Sequence, residues 1–143
     1  MNIILFAGSE EKDAGKRLLD KITADFSYEK IEFFNHLSSF EKRIYGFPKK
    51  IDVVVILAAS VNQLTRLLQF RDILEGIEIL LILPDQDKDT VSKGLSLYPR
   101  FITYTDSNFD DVSAVLGKLT IKHIHDDNSR KNFFEESIFG QEN

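Results

Sequence analysis

The chain has 143 residues, 43% hydrophobic and 29% charged, the proportions of a globular protein long enough to bury one ordinary domain's core without staples. Its net charge of −5 weighs against a nucleic-acid partner, since such binders carry a basic stripe that neutralises phosphates. Cysteine is absent, which excludes disulfides, thiolate metal sites and a cysteine nucleophile.

The first residues, Met1-Asn2-Ile3-Ile4-Leu5-Phe6, lack a basic segment and read as a buried strand, not a signal peptide. No stretch approaches the roughly 20 apolar residues of a membrane helix. The expectation is a cytoplasmic protein with no membrane partner. Ile3 to Ala7 is the first expected strand. Ala14, Leu18, Ile22 and Phe26 then recur at four-residue steps, the stripe of a helix with one buried face. A mixed strand, Glu29 to Phe34, leads to a second helix through Leu37, Phe40, Ile44 and Phe47, where Ser38 and Glu41 have capping-box spacing.

Val53 to Ala59 is apolar throughout and reads as the third strand. The third helix carries Val61, Leu64 and Leu68, with Ser60 and Gln63 at capping-box spacing and Gly76 beyond its end. Ile79 to Leu83 is the fourth strand, and a weaker helix follows through Val91, Leu95 and Tyr98. The mixed Phe101 to Thr105 is the fifth strand, and Phe109, Val112, Leu116 and Leu119 stripe the fifth helix. Residues 120–143 are set apart as a tail: a polar stretch, then a short helix over 130–139.

Strands alternating with helices require right-handed crossovers and a parallel sheet with helices on both faces. Uninterrupted apolar runs mark strands covered on both faces, and mixed ones mark edges. The second and fifth are mixed, which selects the strand order 2-1-3-4-5. The expectation is a doubly wound α/β domain over residues 1–119, a three-layer αβα sandwich with a five-stranded parallel sheet. In such sheets ligands bind beyond the carboxyl ends of the strands, where the order reverses between the first and third. The candidate ligand loops are therefore Gly8 and Ser9, and Ala59 and Ser60.

Five βα units in this order and length resemble the response-regulator receiver domain. That resemblance implies an acidic pair closing the first strand to hold Mg²⁺ and an aspartate closing the third to accept phosphate. This chain has Ala7 and Gly8 at the first place, and Leu57 or Ala58 at the second. The hydroxyl residue implied after the fourth strand falls on Leu83 or Pro84, and the lysine implied at the fifth on Tyr104 or Thr105. Metal needs carboxylate oxygens and an acyl phosphate needs an aspartate, so aspartyl phosphorylation is not expected. Asp85 and Asp87 are read as caps of the helix that follows them.

Other motifs fail on spacing or context. Six residues separate Gly8 from Gly15-Lys16 where a P-loop has four, and Arg17 stands where it has Ser or Thr. Glu10 and Glu11 already complement the first helix's dipole and oppose a phosphate there. His123 and His125 would project to one side of an extended segment, yet two ligands do not close a metal site. His36 has no visible nucleophile near it, and Ser9 and Ser60 are read as N-caps. No catalytic residue, metal site or cofactor is expected.

Through the resemblance, receivers pair by the face of the fourth helix, fifth strand and fifth helix. Here that surface would present Val91, Leu95, Tyr98 and Tyr104, to which Phe133, Phe134, Ile138 and Phe139 of the tail add an aromatic cluster that either covers the domain's own core or meets a partner. The expectation is a non-enzymatic, receiver-like interaction or dimerisation module, with a protein partner or a second copy. The alternative is a small-ligand binder or unusual enzyme using the loops after the first and third strands.

Overall fold

The computed structural model describes residues 1–46 and 50–139, with side chains through residue 126. Strands β1 (Asn2–Ala7), β2 (Lys30–Phe34), β3 (Val53–Leu57), β4 (Glu78–Leu83) and β5 (Phe101–Tyr104) form one parallel sheet in the order β2-β1-β3-β4-β5. The hydropathy argument for the strand order holds. Every residue of β3 is buried, as are five of six in β1 and in β4, while β2 is mostly exposed or half-buried. A central parallel strand has helices over both faces and must be apolar throughout; an edge strand meets water along one side. Glu32 on β2 is accordingly paired, with Arg43 Nε donating to it at 2.8 Å.

The helices are α1 (Lys12–Asp25), α2 (Leu37–Tyr45), α3 (Val61–Leu67), α4 (Arg71–Leu74), α5 (Lys88–Leu95) and α6 (Asp110–Phe139). Alternation along the strands sends Ile4, Phe6, Val54, Ile56 and Leu81 to one face, where they cluster with Phe40 of α2 and Leu64 and Leu67 of α3. Gly94 brings α5 onto that face too, since a Cβ there would lie 3.1 Å from Leu81 and Leu83. The opposite face carries α1, whose Gly15 packs against Ala7. Within the cluster Phe40 stacks at 5.1 Å from Phe6 and meets Phe70 edge-on at 6.2 Å. Truncating a ring so enclosed costs about 3–5 kcal/mol.

The expected third helix is two pieces. Leu68–Phe70 winds as a 3-10 turn between α3 and α4. Its buried residues, Leu64, Leu67 and Phe70, are spaced by three, and a three-residue turn keeps such a row on one line where an α-helix would rotate it away. Gly76 then adopts a φ of 83°, as a glycine ending a helix should. Half of the capping box at Ser60 is present: Gln63 N–H donates to Ser60 Oγ at 3.1 Å, while the Gln63 side chain accepts from Ala59 N–H in place of Ser60 N–H. The one expected at Ser38 is not: α2 begins at Leu37 with His36 as N-cap, so Ser38 lies inside the helix. Ser9 is likewise no cap, because α1 starts after Glu11. Phe47 lies outside the described residues.

By packing, the chain divides after Ser113, inside α6. In place of a polar break near residues 121–129, the backbone stays helical from Asp110 to Phe139. Residues 118–139 contain no glycine or proline, and polarity alone does not end a helix. Leu116 and Leu119 are buried, whereas Ile121 and Ile124 are exposed. The side chains of Phe133, Phe134, Ile138 and Phe139 lie outside the described residues. No helix among the described residues is long and apolar enough to cross a membrane.

Candidate functional site

The carboxyl ends of β1 and β3 bring the four expected loop residues together, and the side chain of Gln63 fills the crevice between them. Gln63 is the third residue of α3, placed over β1 by the Ser60 cap. Its Oε1 accepts from Ala59 N–H at 2.8 Å. A Cβ on Gly8 would sit only 2.2 Å from that same oxygen, so glycine is what lets Gln63 lie there. Gly8 N–H donates to Leu57 O at 3.2 Å. Two backbone donors that could otherwise greet an anion are thus both occupied.

No carboxylate closes β1, β3 or β4. Ala7 ends β1, Leu57 ends β3 with Ala58 beyond it, and Leu83-Pro84 ends β4. After β4, Asp85 Oδ1 accepts from Asp87 N–H at 2.9 Å, folding the loop on itself; Asp87 is the N-cap of α5 but makes no side-chain cap bond. Among the described residues no cluster of three His, Asp or Glu could hold a metal ion. His123 and His125 lie on α6, where residues two apart point to different sides, unlike in the extended segment expected there.

Where the receiver resemblance implies a lysine, at the end of β5, the chain has an arginine reaching in from α1. Arg17 donates to Thr105 O and Ser107 O, both at 2.9 Å, and its guanidinium lies 4.9 Å from the Phe109 ring centroid. Phe109 is buried with a φ of 66°, a left-handed conformation that costs a non-glycine residue about 1–2 kcal/mol. Hydrogen bonds hold it: Phe109 N–H donates to Ser107 Oγ at 3.0 Å, and Ser107 and the buried Thr103 both donate to Asp111, at 3.1 and 2.7 Å. Sequence reasoning missed Arg17, whose partners are about 90 positions away.

Two further polar groups join α1 to the start of α6. Lys21 lies 2.7 Å from Asp110, and Asp25 accepts from Ser113 Oγ at 2.6 Å. The bond to Asp110 holds the Lys21 ammonium above its ordinary range, while the Ser113 hydroxyl and then Lys21 hold the Asp25 carboxyl below its own.

Of the expected contact surface, Leu95 and Tyr98 are exposed, Tyr98 almost fully, while Val91 and Tyr104 pack against the core cluster. Tyr98 has a φ of 52°, which turns it out beyond the end of α5. It borders an open groove of about 670 Å³ at the amino ends of β4 and β5, with Arg71, Glu75 and Leu97. A smaller cleft of about 260 Å³ lies on the β2 side of β1, against α1.

Sheet order, crossovers and helices on both faces define a flavodoxin-like α/β fold. No protein-family model and no curated protein matches this chain. Among solved structures it is similar to a protein of Sinorhizobium meliloti described as a CpaE2 pilus assembly protein, with a TM-score of 0.55 and 17% identity, over 83% of this chain and 99% of that one. At that identity the likeness is one of fold.

Proposed function

We propose that this chain is a receiver-like module that acts by protein contact, without an enzymatic step and without aspartyl phosphate. The observation that carries the reading is the Gln63 side chain lying on Gly8 and bonded to Ala59, in the crevice where a receiver would bind metal and phosphoryl group. With Ala7, Gly8, Leu57 and Ala58 at the reactive positions, neither metal binding nor acyl phosphate formation has its ligands. What remains for function is surface: Leu95 and Tyr98 beside the end of α5, and Ile121 and Ile124 on α6. Fold likeness to a pilus assembly protein supports an assembly or signalling setting for that contact, by analogy of fold alone.

Native mass spectrometry of the full chain tests this reading, before and after incubation with acetyl phosphate and Mg²⁺. The expected result is a dimer or a co-purified protein, with no gain of a phosphate. Leu95→Lys/Tyr98→Lys or Ile121→Lys/Ile124→Lys should dissociate it, since a buried lysine at an interface is costly. A phosphorylated species, or a monomer with no protein partner, would overturn the reading.

A further inference from the structure

We propose that the cleft on the β2 side of β1 binds a small monocarboxylate with a ring-sized apolar body. This goes beyond the contact reading and does not depend on it. The cleft is open to solvent and measures about 260 Å³, room for one ring and a short chain, at the carboxyl ends of the strands. Its floor is formed by small residues: Ala7 and Gly15 meet there in close contact, a Cβ on Gly15 falling 3.2 Å from Ala7. Leu19 and Phe33 supply its larger apolar surface. Phe33 lies on the edge strand and is 38% exposed, an aromatic face that an apolar ligand would cover.

The charge around the cleft selects the ligand's polar end. Lys12 and Lys16 stand one turn apart on α1 and both border the opening. Neither is in an ion pair among the described residues, whereas Lys21 and Lys50 are. Glu11 is the single carboxylate of the lining, so two lysines against one glutamate leave one positive charge. That balance matches a monoanion, and Glu11 opposes a phosphate dianion. Ser9 and Asn35 at the rim provide neutral hydrogen-bonding groups. Inorganic anions alone would leave the apolar wall wet.

Titration of the full-length ¹⁵N-labelled chain with 3-phenylpropionate, followed by amide chemical shifts, tests the assignment. Saturable shifts are expected at residues 7–19 and 33–35, in the millimolar range for so small a ligand. The uncharged 3-phenylpropionamide should bind about tenfold more weakly, as should 3-phenylpropionate to Lys12→Gln/Lys16→Gln, while inorganic phosphate should leave those amides unmoved. Lack of saturable shifts, shifts centred elsewhere, equal binding of the amide, or undiminished binding by the folded double variant would each overturn the proposal.

Discussion

The two flanks of Gly8 begin from similar material, small residues at strand ends beside the first turn of a helix, and finish differently. Toward β3, Gln63 reaches across, satisfies Ala59 N–H and leaves no space for even a Cβ on Gly8. Toward β2, the helix opposite is α1, which offers Gly15 and two lysines with no ion pair among the described residues, and the space stays open. One glutamine on α3 separates a sealed strand end from a cleft. On this fold the place where ligands usually bind is thus closed by a single neutral side chain, and the available opening lies one strand over.

That contrast can be broken from the sealed side first. Gly8→Ala should have the largest effect, about 1–2 kcal/mol in chemical unfolding, because the end of Gln63 must swing aside and give up its bond to Ala59. Gln63→Ala should cost about 1 kcal/mol and speed hydrogen exchange at Ala59, whose donor then meets solvent. Combined, the two should cost less than their sum, since the added methyl no longer meets the amide. Strict additivity would mean that Gln63 does not seal the crevice.

On the open side the same measurement should barely move. Lys12→Gln/Lys16→Gln is expected to stay within about 0.5 kcal/mol of the parent in unfolding, as exposed residues without partners do. A larger loss would show that these lysines support the fold and are not free for a ligand.

The smallest expected effect is on pH dependence, at the exposed polar groups between α1 and α6. Asp25 is held below its ordinary range, so its stabilisation is present above the unfolded carboxyl value and fades as pH falls through the lower folded one. Lys21 is held above its range; its contribution is complete below the unfolded ammonium value and fades as pH rises through the higher folded one. Asp25→Asn should flatten the acid limb of stability against pH, and salt should shrink the difference because these groups meet solvent. An unchanged acid limb would remove Asp25 from this account.

Much of the architecture was legible because it rests on periodicity. The apolar runs at residues 3–7, 53–59 and 79–83 require cover on both faces, and the mixed segments at 29–34 and 101–105 tolerate an edge; that alone orders the sheet. The divided third helix was less visible, because a row spaced by three reads much like one spaced by three and four. The helix continues through the polar residues 121–129 because polarity alone does not break a helix and no breaker residue is present there. At the site, Gly8, Ser9, Ala59 and Ser60 lie beside the ends of β1 and β3, while Ser60 and Gln63 are legible in the sequence only as a cap.

By itself the sequence determined the βα alternation, the burial of the central strands and the absence of acids at the strand ends, each a local property of residue type and spacing. Tertiary structure decided the rest: which side of Gly8 is filled, how Arg17 reaches the turn that holds Phe109 left-handed, and which members of the expected surface face water. Those outcomes depend on groups far apart in the chain. A side chain's reach across a crevice is set by the helix that carries it and the strand it crosses, and neither is written in the spacing of its neighbours.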